Sequence, residues 1–283
     1  MIIDADTKLF CLIGHPISKS LSPFIHNYSF EHNEINARYV AFDVDEDALE
    51  DAVKGIKALN IHGFNVTIPH KVEVIKFLDE IDEEANLLGA VNTVKNVNGK
   101  LVGYNTDGRG FIRALQNNNI DIKGKNITII GAGGAARAIA MIMAKDGVRS
   151  IQVANRTVEK AKIIANEISS KLSKVITAWT DIKNISTVDI DIVINCTSVG
   201  MYPDVESLII DPCIFNKNTL MCDIVYKPAL TKFLNVAKQN GYRIMGGLDM
   251  LIYQALLSEE IWLNKKIGYK IFKGKKKDIF EIL

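Results

Sequence analysis

The stretch Asn126-Ile127-Thr128-Ile129-Ile130-Gly131-Ala132-Gly133-Gly134-Ala135-Ala136-Arg137 decides how the fold is read. Its first five residues, rich in β-branched side chains, predict a short buried strand. The glycines predict a tight turn, and the alanine-rich run to about Lys145 predicts a helix. That order leaves bare backbone N–H groups and the positive end of a helix dipole aimed at one spot, an arrangement that holds a pyrophosphate. The spacing is Gly-x-Gly-Gly, with Ala136 in the last position of the longer Gly-x-Gly-x-x-Gly form, so a plain strand-to-helix turn is the alternative reading.

Working outward, short apolar runs alternate with amphipathic stretches, the pattern of an α/β chain with a largely parallel sheet. Downstream, strands are expected at 150–154, 174–177, 190–195, 220–223 and 242–245. Upstream, the reading gives strands at 8–13, 37–43 and 64–68, and helices at 23–30, 46–59, 71–78 and 110–117. A hairpin at 90–97 and 101–104 turns on Asn98-Gly99. The helix expected at 248–263 has no place in the second sheet, so it should return to the first unit. The fold class is therefore α/β with two domains: a discontinuous α/β domain of residues 1–107 and 247–283, and a Rossmann-type doubly wound domain of residues 108–246. An inserted domain crosses the first twice, which predicts a hinge and closure over bound ligands.

Composition narrows the function class. The 283 residues are 48% hydrophobic and 24% charged, ordinary for a globular chain, and the net charge is +1. Such a balance gives no electrostatic case for nucleic acid or a membrane surface as partner, and favours a small molecule. The acidic N-terminus lacks the features of a secretory signal, and the most apolar long window carries Arg137 and three glycines, so a cytoplasmic protein without a membrane span is expected. Cys11, Cys196, Cys213 and Cys222 are far apart, and neither they nor the five histidines show metal-ligand spacing, so reduced, mostly buried thiols and no metal are expected. The segment 265–277 holds seven lysines and no acid; a solvated end is the plain reading, weak association with an anionic surface the other.

About 24 residues beyond Gly131, where NAD enzymes place an acid, stands Asn155-Arg156-Thr157. A guanidinium at that point favours the extra 2′-phosphate of NADP, and Lys160 adds a second cation one helical turn on. The other reading, two solvated residues at a helix start, is common for either one alone but less so at this spacing from the glycine turn. In the first domain, Ser20-Leu21-Ser22-Pro23 precedes a helix, and Asn65-Val66-Thr67-Ile68-Pro69-His70-Lys71 follows a strand exit. Asn92 and Asn105-Thr106-Asp107 add polar groups at nearby strand ends, where open α/β sheets bind ligands. Each alone is also a turn or a cap.

Taken together, these segments resemble the NADP-linked shikimate dehydrogenases. The resemblance extends through Gly89-Ala90-Val91-Asn92-Thr93, Asn195 to Met201, Asp223 to Pro228 and Met250 to Gln254. It implies that Ser20 and Ser22, with Tyr226 nearby, hold a substrate carboxylate. It further implies that Thr67, Lys71, Asn92, Asp107 and Gln254 hold ring hydroxyls, and that Lys71 and Asp107 are the catalytic pair. The dinucleotide is then expected on Gly131, Ala132, Gly133, Gly134 and Ala135, with Asn155, Arg156, Thr157 and Lys160 at its ribose phosphate, Thr197 near its nicotinamide end, and Gly247 also among the residues that bind it. Hydride transfer to a ketone develops an alkoxide, so a cation able to give up a proton is the group the chemistry requires. Two other readings stay open, a relative that also oxidises quinate and a non-catalytic module that senses NADP or shikimate. A monomer or a homodimer fits equally well.

Overall fold

A computed structural model describes residues 3–272, 274–275 and 279; Lys273, Lys276 and Lys277 of the basic segment lie outside them. The chain divides into two compact units, Met1–Asp107 with Ile252–Lys275, and Gly108–Leu251. The divisions fall at the first residue of one helix and within another.

The first unit is a six-stranded sheet with helices on its faces. Its elements are β1 (Lys8–Gly14), α1 (Ser22–His32), β2 (Ala37–Asp43), α2 (Leu49–Ala58), β3 (Gly63–Val66), β4 (Glu80–Ile81), α3 (Glu83–Leu88), β5 (Thr93–Val97) and β6 (Lys100–Tyr104). The strand order is β2-β1-β3-β5-β6-β4, and β5 runs antiparallel to both its neighbours while the other pairs are parallel. Strand β1 reads as a continuous apolar run because both its faces are covered. Cys11 and Ile13 join Leu49, Val53 and Ile56 of α2, which recur at helical spacing, while Phe10 and Leu12 join Phe30 of α1 and Trp262 on the other face.

The second unit contains α4 (Asp107–Asn117), β7 (Asn126–Ile130), α5 (Gly134–Lys145), β8 (Ser150–Ala154), α6 (Val158–Lys171), β9 (Ile176–Thr180), β10 (Ile192–Asn195), β11 (Leu220–Asp223), α7 (Lys232–Gln239), β12 (Ile244–Met245) and the start of α8 (Leu248–Leu263). Its sheet is wholly parallel in the order β12-β11-β10-β7-β8-β9. The order reverses at β7, which makes the gap between the carboxyl ends of β7 and β10 the topological switch point. Helix α5 is buried along most of its length, from Ala136 to Ala144, and explains why that window is the most apolar in the chain.

Three expectations need correction. Residues 71–78 do not form an α-helix; Lys71 lies in a turn, followed by a 3₁₀ segment at Glu73–Phe77 that ends before Leu78 goes extended. The sequence reading missed α3, although Asp82 caps it by accepting from the Ala85 amide and Gly89 ends it in the left-handed conformation. Strand β9 starts two residues later than expected and runs to Thr180, an edge strand whose residues are mostly exposed and whose periodicity is correspondingly weak.

The latter part of α8 packs on the first sheet. Trp262 stacks on Phe10 at 4.7 Å between ring centroids, and its indole N–H donates to the Val94 carbonyl at 2.9 Å. Trp262→Ala is expected to destabilise the chain by about 3–5 kcal/mol through the cavity and the orphaned carbonyl. Urea unfolding measures it; a loss below about 1 kcal/mol would show that α8 does not support this sheet.

Candidate functional site

Most of the site residues expected from the sequence lie at one end of the sheet in the first unit and around the glycine turn in the second. In the first unit the pairings Ile13↔Val66, Asn65↔Thr93 and Thr93↔Tyr104 set the exits of β1, β3 and β6 beside the entrance of β5. Ser20 and Ser22 follow β1, Thr67 and Lys71 follow β3, Asn92 precedes β5 and Asp107 follows β6. Residues from four separate segments thus share one edge because of register alone.

Lys71 and Asp107 meet there. The Lys71 Nζ donates to Asp107 Oδ2 at 2.6 Å, with side-chain exposures of 29% and 13%, so the pair is sheltered yet open to a ligand. Asn92 Nδ2 donates to the other carboxylate oxygen at 2.8 Å and to the Thr106 hydroxyl at 3.0 Å, and Asn92 Oδ1 accepts from the Thr106 amide at 2.8 Å. Both N–H bonds of the Asn92 amide are therefore committed to holding the 106–107 corner. The backbone closes the arrangement: the Val91 amide donates to the Lys71 carbonyl at 2.7 Å.

Behind this pair lies a buried polar layer. Asn65 Nδ2 donates to the hydroxyls of Thr93 and Ser258 at 3.0 and 3.1 Å, Thr93 donates to Asn92 Oδ1 at 2.9 Å, and Tyr39 donates to Asn65 Oδ1 at 2.8 Å. Ser258 comes from α8 and is nearly two hundred residues away from Asn65, so no sequence spacing could have joined them. Burial pushes the Tyr39 phenol well above its ordinary range, and Ser22 hydrogen-bonds to it. Ser20 Oγ accepts from the Ser22 amide at 3.2 Å, so part of its role is to shape the turn into α1. Thr67 is half-buried, with its amide on the Ile13 carbonyl at 3.0 Å. Gln254 is half-buried on α8. His70 is a scaffold residue: it is buried, and its Nε2 lies 2.6 Å from the Val44 carbonyl.

In the second unit the glycine turn sits at the switch point. Gly131 has φ +112°, and a Cβ there would lie 3.0 Å from Thr197 Cγ2 and 3.1 Å from the Cys196 carbonyl, so glycine is required. At Gly133 and Gly134 an added Cβ would meet nothing within 4 Å, and no side chain caps α5. Open space over the uncapped amides of a 12-residue helix, bordered by Ala132 and Ala135, fits a pyrophosphate. After β8, Arg156 and Thr157 are exposed, Lys160 is exposed on α6, and Asn155 Nδ2 donates to the Thr157 carbonyl at 2.8 Å, shaping the turn. Among the described residues the side chains of Arg156 and Lys160 have no acidic partner, which fits a pair of cations available to a phosphate. Tyr226 also belongs to this unit, and burial raises its phenol pKa. Among the described residues no group of three or more His, Cys, Asp or Glu is placed to hold a metal ion, and no helix is long and apolar enough to cross a membrane. Cys11, Cys196 and Cys222 are buried and Cys213 is exposed, in keeping with the expectation of mostly buried thiols.

Residues 12–94 match the family model described as shikimate dehydrogenase substrate binding domain, and residues 113–226 match shikimate / quinate 5-dehydrogenase. A shikimate dehydrogenase (NADP(+)) of Methanococcus maripaludis is 46% identical over 276 residues, 96% of this chain and 97% of that protein. A crystal structure of a shikimate dehydrogenase in complex with NADP+ superposes with a TM-score of 0.92 at 44% identity, covering 98% of this chain and 97% of that one. The ligand-free 5-ketofructose reductase of Gluconobacter sp. strain CHM43 superposes with a TM-score of 0.91 at 36% identity, covering 98% of this chain and all of that one.

At Gly247 an added Cβ would fall 2.0 Å from the Ile224 carbonyl oxygen and 2.8 Å from that of Val225. Its missing side chain is thus explained by backbone packing within the second unit. Gly247→Ala should displace the 224–226 segment and cost about 2–3 kcal/mol, lowering the ligand-free Tm by roughly 5–10 °C. An unchanged Tm with weakened dinucleotide binding would assign the glycine to the ligand instead.

Proposed function

The chain belongs to the shikimate dehydrogenase family, and from that premise we propose that it reduces 3-dehydroshikimate to shikimate with NADPH, and runs the reverse with NADP. The observation that carries the assignment is the Lys71–Asp107 pair, an ammonium fixed 2.6 Å from a carboxylate at the carboxyl edge of the first sheet. NADPH, when bound, supplies the hydride to the ring carbonyl carbon. The chain must then stabilise and protonate the oxygen. One N–H of Lys71 is used by Asp107, which leaves two for that oxygen as it gains negative charge. Lys71 is the proton donor in reduction and the acceptor in oxidation. Asp107, held by Asn92, orients the ammonium and keeps lone pairs for neighbouring ring hydroxyls.

The remaining assignments rest on the resemblance together with positions at the two sheet edges. Ser20 and Ser22 hold the carboxylate, and Thr67 and Gln254 the ring hydroxyls; Asn92, whose amide is already committed to the 106–107 corner, reaches a ring hydroxyl only by exchanging one of those bonds for it. For Tyr226, carried by the second unit, the carboxylate role rests on the resemblance alone. The amides from Gly131 to Ala135 take the pyrophosphate, supported by the open space above Gly133 and Gly134. Arg156 and Lys160 take the 2′-phosphate beside Asn155 and Thr157, and Thr197 borders the nicotinamide end. A non-catalytic sensor would need binding but no ammonium held against a carboxylate, so the pair favours the enzyme.

Following reduced nicotinamide by absorbance with shikimate, quinate or reduced 5-ketofructose tests the substrate. Turnover is expected with shikimate and NADP, and its absence with both dinucleotides would overturn the proposal. Lys71→Ala should lower kcat by on the order of a hundredfold or more with a smaller change in KM. An unaltered kcat would remove Lys71 from the chemistry. Arg156→Ala should raise the KM for NADP about tenfold or more and leave that for NAD nearly unchanged, since one charge-assisted contact to a phosphate is lost. Equal losses would place the guanidinium elsewhere.

A further inference from the structure

We propose that Asp223 is a positioning residue of the second unit: acting through Asn195, it fixes the Thr197 loop against the glycine turn and thereby sets the affinity for the dinucleotide. The inference rests on the dinucleotide reading of that turn. Asp223 ends β11 directly opposite Asn195, which ends β10, and both are wholly buried. The carboxylate receives three donors, two from the connection between β11 and α7 and one from the end of β10. Oδ2 accepts from Thr231 at 2.7 Å and from Asn195 Nδ2 at 3.1 Å, and Oδ1 accepts from the Val225 amide at 2.9 Å. Asn195 Oδ1 in turn accepts from the Thr197 hydroxyl at 2.7 Å and its amide at 3.0 Å. Thr197 is the side chain nearest to Gly131 in the turn.

The chain of bonds has only one possible sense. An ionised carboxylate accepts and never donates, so Asn195 must present its NH₂ to Asp223 and its carbonyl to Thr197. With an amide in place of the carboxylate, the NH₂ takes either the Oδ1 place, against the Val225 N–H, a backbone donor that cannot turn, or the Oδ2 place, against both Thr231 and Asn195. Thr231 can answer by turning its hydroxyl, but Asn195 cannot without flipping, which would set its NH₂ against the Thr197 amide N–H. An exposed turn would absorb that exchange with water, whereas these groups have none to exchange with. Burial is severe enough to push the Asp223 carboxyl up to about 6 against the pull of its three donors. Holding a charge in such a place is costly, and satisfying three donors at once offsets it.

The decisive comparison is Asp223→Asn against the swapped pair Asn195→Asp/Asp223→Asn. The swap moves the carboxylate to position 195, where it still accepts from Thr197 and also from the new amide at 223, restoring the one-way sense. NADPH binding is followed by its fluorescence, ligand-free stability by thermal denaturation, and KM and kcat by the shikimate assay. The single variant should bind NADPH about tenfold more weakly and raise the KM for NADP, while kcat and the KM for shikimate stay within about twofold. The swap should recover most of the lost affinity. A folded Asp223→Asn protein with wild-type NADPH affinity overturns the proposal, as does a folded swap that binds no better than the single variant. If the single variant does not fold, the swap alone decides by the same criterion. Failure of both to fold would assign Asp223 to folding only. Wild-type protein that binds no NADPH would instead overturn the dinucleotide reading itself.

Discussion

An ammonium and a carboxylate 2.6 Å apart, neither fully exposed nor fully buried, impose the main constraint on the first unit. Deep burial would make the pair's desolvation expensive, and full exposure would let water and salt screen it to little effect. A sheet edge gives the intermediate setting. Its strands supply rigid exits on which Lys71, Asn92 and Asp107 converge from three segments, and its ends leave one side open. Much of the unit serves this convergence: Asn92 spends both N–H bonds on the 106–107 corner, and Asn65, Thr93 and Ser258 fill the space behind it with satisfied hydrogen bonds. A polar layer so placed fixes a geometry that apolar packing alone would leave less directional.

The second unit uses the opposite economy. Its switch point is built mainly from backbone: a glycine that approaches the β10 exit closely, two more with nothing above them, and a helix whose first amides no side chain caps. Bare backbone can hold an anion only if the loops around it are stationary, and the stationary element here is the buried carboxylate of Asp223 with its three donors. Gly247 serves the same end from the turn between β12 and α8, packed onto the 224–225 backbone where a side chain would not fit. On the proposed reading, both units bind with one set of groups and hold those groups in place with another, buried set.

Strand β1, the α5 window and the glycine turn were legible in the sequence because their signals are local: continuous apolar runs for strands covered on both faces, and glycine where the backbone must turn sharply. The 71–78 segment was misread because its apolar spacing suits a helix, but the two-residue strand β4 begins immediately after it and leaves room only for a 3₁₀ turn. Asn195 and Asp223 carried a weak local signal, each a polar residue closing a buried strand, but nothing in the sequence says that they face one another.

By itself, the order of residues determined the class of most strands and helices, α3 and the 71–78 segment excepted, the dinucleotide-type turn, and which polar residues end their strands, since each depends on neighbours within a few positions. Tertiary structure alone decided that Lys71 meets Asp107, that Ser258 reaches Thr93, and that Asp223 faces Asn195. These contacts join residues from about thirty to well over a hundred positions apart. Which of them meet is set by strand register and by the packing of distant helices, quantities that arise only when all the sheet pairings are satisfied together.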